Sequence, residues 1–151
     1  MNGFISPPRY ETRVAIERVD RLLHLSNSEG EPQQDWELLV ADPSRLAEFC
    51  NLYESGVLDA ETQFALMRLI VATLDELSAE DTTETTNIGL AQRVERLLRQ
   101  DFVLHLHTIH YWSLLDEADR DNVFTVTPLL RRVWNDCFKP EYQQWLDRDS
   151  G

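Results

Sequence analysis

The chain has 151 residues, 42% of them hydrophobic and 9% aromatic, with two cysteines and a formal charge of −13 at pH 7. That length and composition suit one domain with a core of its own. The sign of the charge excludes nucleic acid and anionic membrane as expected partners, because binding either rests on Lys and Arg displacing counterions, and lysine occurs once, at Lys139.

The chain opens MNGFISPPRYETR, with prolines and charges where a secretory leader has an apolar centre, so a cytoplasmic location is expected. Ser6-Pro7-Pro8 reads as a helix opening, a hydroxyl cap followed by prolines in the first turn. The helix it predicts turns Ala15, Ile16, Val19, Leu22 and Leu23 inward, and Glu11, Arg13, Glu17, Arg18, Asp20 and Arg21 outward. Ser26 to Gln34 reads as a loop by its Ser, Gly and Pro content, leading to a short apolar turn around Trp36, Leu39 and Val40. Asp42-Pro43 restarts a helix with Leu46, Phe49, Cys50 and Tyr53 on one stripe and Glu48 opposite, ended by Gly56. Asp59 caps the next helix, over 60–77. Its apolar arc from Phe64 to Leu77 leaves only a narrow polar stripe of Glu61, Arg68, Asp75 and Glu76, the pattern of a central helix.

Residues 78–87 form an acidic, Thr-rich connection with no apolar reward for ordering it, and mobility is expected there. A helix from about Ile88 turns Leu90, Ala91, Val94, Leu97 and Leu98 inward. Arg93, Arg96 and Arg99 lie on its outer side, where pairing with the acidic part of the chain is open to them. Asp101 breaks the apolar pattern, so a separate or kinked helix is expected over 102–115. Phe124-Thr125-Val126 is strand-like but too brief to build a sheet. Thr127-Pro128 opens a helix through Leu130, Val133, Trp134 and Cys137, and Pro140 opens a last short one with Tyr142 and Trp145. The expectation is a single all-α domain over 1–151, a bundle of about six helices with at most one very short β element. No uninterrupted apolar run approaches the roughly 20 residues needed to cross a bilayer. Cys50 and Cys137, both among apolar neighbours, are expected as reduced, buried thiols.

The charge is unevenly placed. Fourteen of the 27 acidic residues lie between Glu29 and Glu84, against Arg45 and Arg68 alone, so that stretch carries −12 of the −13. Folding gains nothing from crowding like charges, and the pattern reads as a docking surface for a basic protein. The competing reading is a surface that only keeps the protein dispersed. The candidate partner-contacting residues are Asp35, Trp36, Glu37, Asp42, Glu48, Asp59, Glu61, Asp75 and Glu76. Trp36 and Tyr53 border the acidic stretch as interface anchors do, although both also fit core stripes.

Catalytic and metal-binding signatures are absent from the sequence. His105, His107 and His110 form the only histidine cluster, but on a helix His105 and His107 point about 160° apart and cannot converge on one ion. The acidic run from Asp116 lacks the glycine and the closing glutamate of a calcium loop. No nucleophile elbow, dinucleotide fingerprint or phosphate loop occurs, so no enzyme, cofactor or metal is expected.

Leu104-His105, Thr108-Ile109-His110-Tyr111-Trp112, Phe124, Thr127-Pro128 and Arg131 carry a resemblance, joined upstream by Trp36, Leu38-Leu39 and the helix from Phe64 to Leu77 with Asp75-Glu76. Over roughly 36–134 this pattern resembles small acidic helical immunity proteins of bacterial contact-dependent and other interbacterial toxin systems. The resemblance implies a cytoplasmic protein that neutralises a toxin domain by tight binding. It transfers no residue's role, because partner-contacting positions in such families vary with the toxin. The expected partner is a basic toxin domain and the free protein is expected to be a monomer. The alternatives are an acidic secretion chaperone or adaptor, many of which are α/β dimers, and a DNA-mimic inhibitor.

Overall fold

The computed structural model describes residues 7–25, 36–80, 85–119 and 123–147. Helices follow one another as α1 (Arg13–Leu23), α2 (Trp36–Val40), α3 (Leu46–Glu54), α4 (Ala60–Glu80), α5 (Thr85–Gln100), α6 (Leu106–Ser113), α7 (Thr127–Cys137) and α8 (Gln143–Asp147). Short 3-10 turns at Pro43–Arg45 and Pro140–Tyr142 lead into α3 and α8. No strand occurs among the described residues, and the chain is an all-α single-domain bundle, with six helices of eight residues or more and two of five.

The 21-residue α4 is the centre, packed by α1, α2, α3 and α5. Phe64, Leu66, Met67, Leu69, Ile70, Val71 and Leu74 are all buried on it, and even Thr62 and Thr73 are enclosed, as the wide apolar arc requires. Asp59 starts this helix as its cap, its Oδ1 accepting from the Thr62 amide at 2.9 Å. A second layer pairs α6 with α7, and α5 bridges the two layers by packing on both α4 and α7.

Several elements differ from expectation, each for a local reason. The first helix opens at Thr12, whose Oγ1 accepts from the Ala15 amide at 3.1 Å. Pro7 and Pro8 lie outside it, since a residue preceding proline is biased away from the helical region; Ser6 falls outside the described residues. Leu22, expected inward, is 42% exposed. Helices α4 and α5 reach Glu80 and Thr85, so they take up both ends of the expected 78–87 connection; residues 81–84 lie outside the described residues. Phe124 to Val126 is a turn instead of a strand. Val126 donates its amide to Asp75 Oδ1 at 3.1 Å and Phe124 donates to Thr127 Oγ1 at 3.1 Å, so side chains take the amides a neighbouring strand would have used.

Cys50 is buried and Cys137 partly so, and both are free thiols; burial pushes the Cys50 thiol up to about 11. Among the described residues, no helix is long and apolar enough to cross a membrane.

Candidate functional site: the acidic surface and the polar networks beneath it

The acidic stretch contains two arginines, and the fold uses both internally. Arg68, on α4, forks three ways: Nε to Glu11 Oε2 at 2.7 Å, Nη2 to Glu37 Oε1 at 2.9 Å and Nη1 to the Arg9 carbonyl at 3.3 Å. Both carboxylates are 8% exposed at the side chain, against 23% for Arg68. Arg9 itself meets His107 Nδ1 at 3.3 Å, so one polar network ties the N-terminal segment to α2, α4 and α6. Arg45 grips Glu48 through Nε and Nη2, both at 2.8 Å, donates to the Leu23 carbonyl and lies over the Phe49 ring.

Arginines from other helices reach two more acids of the stretch. Arg18 of α1 pairs with Asp59 at 3.5 Å, and Arg93 of α5 donates to Glu54 at 2.6 Å and to Asn51 at 2.7 Å. Of the three arginines on α5, therefore, Arg93 meets the acidic stretch. Arg99 turns instead to Glu95 and Asp136, which together with Arg132 lock α5 to α7. Hydrogen bonds from Arg132 and then Arg99 hold the Glu95 carboxyl below its ordinary range.

The candidate contacts fall into two groups. Trp36 is fully buried and donates from Nε1 to Asp20 Oδ1 at 3.0 Å, and Glu37 is buried against Arg68. Neither is offered to a partner, a correction whose physical reason is that each has a polar partner waiting inside the core. Asp75 is half-buried and spent on the Val126 amide, and burial pushes its carboxyl up. Asp42, Glu48, Asp59, Glu61 and Glu76 do reach the surface, although Asp42 is only part-exposed because it caps the 3-10 turn through Ser44. Asp42 and Glu61 have no ion pair among the described residues. Asp35 lies outside the described residues.

A second polar chain was not foreseen. Tyr53 Oη lies 2.7 Å from Asp101 Oδ2 and 2.7 Å from His105 Nε2, with the Phe64 ring stacked on His105 at 6.4 Å. The Asp101 carboxylate accepts only, so the Tyr53 hydroxyl proton points to it and His105 Nε2–H donates to Tyr53. His105 Nδ1 is then a bare acceptor, buried without a hydrogen-bond partner. Complete burial pushes the His105 imidazole down to about 3, and burial with the Asp101 bond pushes the Tyr53 phenol up. The sequence signal was Asp101 interrupting an apolar run four residues before His105.

The histidine cluster disperses: His105 to Tyr53, His107 to Arg9, and His110 to an exposed position with its ring 5.1 Å from Trp134. Among the described residues, no group of three His, Cys, Asp or Glu side chains is placed to hold a metal ion. An open groove runs along α7 past Phe124, Arg131 and Arg132. Its cations are already engaged, Arg131 by the carbonyls of Ser113, Leu114 and Glu117 at the end of α6, and Arg132 by Glu95. No family model, curated protein or solved structure matches this chain.

Proposed function

We propose that this protein is an immunity-type inhibitor that docks on a basic toxin domain and neutralises it by steric and electrostatic occlusion. The observation that carries the reading is the surplus of carboxylate left after folding. Arg45 and Arg68 are both consumed within the acidic stretch, and Asp42 and Glu61 remain at the surface without an ion pair among the described residues. Such a field attracts the lysines and arginines with which a nucleic-acid-cleaving domain holds phosphate, and it speeds encounter. The blockade requires no chemistry from the inhibitor. The all-α fold favours this reading over a secretion chaperone of the α/β kind.

The test begins with the protein that the chain captures from its native cell. That partner is expected to be basic, to arrest growth when expressed alone, and to be harmless when this chain is co-expressed. A captured protein that is harmless, or whose toxicity persists on co-expression, overturns the reading.

The triple variant Asp42→Asn, Glu48→Gln, Glu61→Gln is expected to slow association with that partner about tenfold at low salt and to flatten the salt dependence, with a smaller change in dissociation. Asn retains most of the capping ability of Asp42. Asp116→Asn and Glu141→Gln, exposed carboxylates outside the stretch, are expected to leave the rate unchanged. Equal slowing by both sets, measured by stopped flow, would show that only total charge matters.

A further inference from the structure

The segment from Pro7 to Glu11, which leads into α1, belongs to no helix or strand. Polar contacts tie it to two helices. Arg68 of α4 meets the Arg9 carbonyl at 3.3 Å and the Glu11 carboxylate at 2.7 Å, and the Arg9 guanidinium reaches His107 Nδ1 on α6 at 3.3 Å. Pro7 is buried at one end of the segment, whereas Tyr10 near the other is 73% exposed. A stretch with so little apolar burial belongs to the low end of local stability, where single polar contacts decide whether it stays down.

The contact at His107 runs in one direction only. A guanidinium donates and never accepts, so Nδ1 receives the bond on its lone pair and the ring is neutral, with its proton on Nε2. An imidazolium has a proton on both nitrogens and no lone pair to offer. Protonation therefore removes the bond and sets two cations against each other in its place. His107 is buried, so water screens that repulsion little. The charged groups of the network are Arg68 on α4, Glu11 on the segment itself and Glu37 on α2, and Arg68 takes up both carboxylates. On α6, His105 is bonded to Tyr53, and His110, one turn beyond His107, feels Arg9 as a cation and Asp116 as an anion.

We propose that residues 7–11 form a proton-operated strap, held down while His107 is neutral and lifted when its ring takes a proton. Lifting draws Glu11 away from Arg68, so one proton at α6 rearranges the charged network that joins the N-terminal segment to α2 and α4. The device stands apart from the inhibitor reading and operates whatever the partner is.

Thiol labelling of a Pro7→Cys variant measures it, because a buried position reacts only when the strap lifts. Each rate is divided by that of a peptide of residues 7–12 carrying the same cysteine at the same pH, and labelled sites are separated by peptide mass spectrometry. Cys50, in the core, reports global unfolding in the same sample. A ring that takes its proton near the ordinary 6.5 in the lifted state alone raises the corrected rate about tenfold between pH 7.5 and pH 5.5, and that rise is expected. His107→Gln stays neutral and accepts from Arg9 through its amide oxygen, and it is expected to abolish the rise, whereas His110→Gln is expected to keep it. Arg9→Met is expected to label fast at both pH values, and circular dichroism verifies that each variant is helical. One reading needs no variant: imidazole nitrogen spectra of the wild-type chain at neutral pH are expected to show His107 Nδ1 without a proton. A protonated Nδ1 there, a corrected rate that is flat in pH, a rise that survives His107→Gln or vanishes in His110→Gln, or labelling at position 7 no faster than at Cys50 would each overturn the proposal.

Discussion

Arg68→Ala is expected to destabilise the protein by about 3 to 5 kcal/mol, because it removes the cation on which two buried carboxylates converge. Glu11 and Glu37 converge on this guanidinium from the N-terminal segment and from α2, and each is 8% exposed at the side chain. For a domain of this size about 2 to 4 °C of melting temperature accompanies each kcal/mol, so a fall on the order of 10 °C is the readout. The triple variant Arg68→Met, Glu11→Gln, Glu37→Gln is expected to recover much of the loss, since most of it is the penalty of leaving charge unpaired and not the worth of the pair itself. Arg13→Gln breaks a pair whose side chains are 57% and 52% exposed, and it is expected to change stability by no more than about 0.5 kcal/mol. A loss below about 1 kcal/mol in Arg68→Ala would show that water reaches the two carboxylates.

That contrast also marks what sequence could and could not resolve. The apolar arc of α4 and the stripe Leu46, Phe49, Cys50, Tyr53 are written in spacing alone, and both are buried as spacing requires. Caps behaved the same way where the side chain acts within its own turn, as at Asp59 and Asp42. The destinations of charged side chains were not legible, because they depend on which helices become neighbours. In sequence Arg68 is only part of a narrow polar stripe; in the fold α1 runs antiparallel to α4, which brings Glu11 to Arg68 at one end and Arg18 to Asp59 at the other.

The acidic surface was legible as a total and illegible as a map. Counting gives −12 for Glu29 to Glu84, whatever the fold. Only the packing shows that Glu37 and Asp75 face inward while Glu48 and Glu61 face outward. Trp36 illustrates the same limit: its neighbours in sequence are acidic, but its indole N–H finds Asp20 sixteen residues earlier.

His105 makes stability fall as the solution is acidified. Its imidazole is fully enclosed between Tyr53 and Phe64, and burial pushes it from 6.5 down to about 3. The unfolded chain therefore binds a proton between those values that the folded chain refuses. A base whose folded value is depressed contributes stability present above its unfolded value and lost as pH falls through the interval. The slope is about 1.4 kcal/mol per pH unit, so roughly 2 kcal/mol is expected to disappear between pH 7 and pH 5 and about 4 to 5 kcal/mol by pH 3. His110, also pushed down by burial, acts with the same sign, and the raised carboxyls of Asp20 and Asp75 act oppositely at lower pH. Comparison with a variant separates these contributions. His105→Phe removes the proton site while Tyr53 keeps its bond to Asp101, so urea unfolding at pH 7 and pH 5 is expected to differ by about 2 kcal/mol less in the variant than in wild type. The variant's absolute stability is set by how well phenylalanine packs on Phe64, and the inference uses only the difference between the two pH values. Equal pH dependence in the two proteins would show that burial does not depress the imidazole in the folded state.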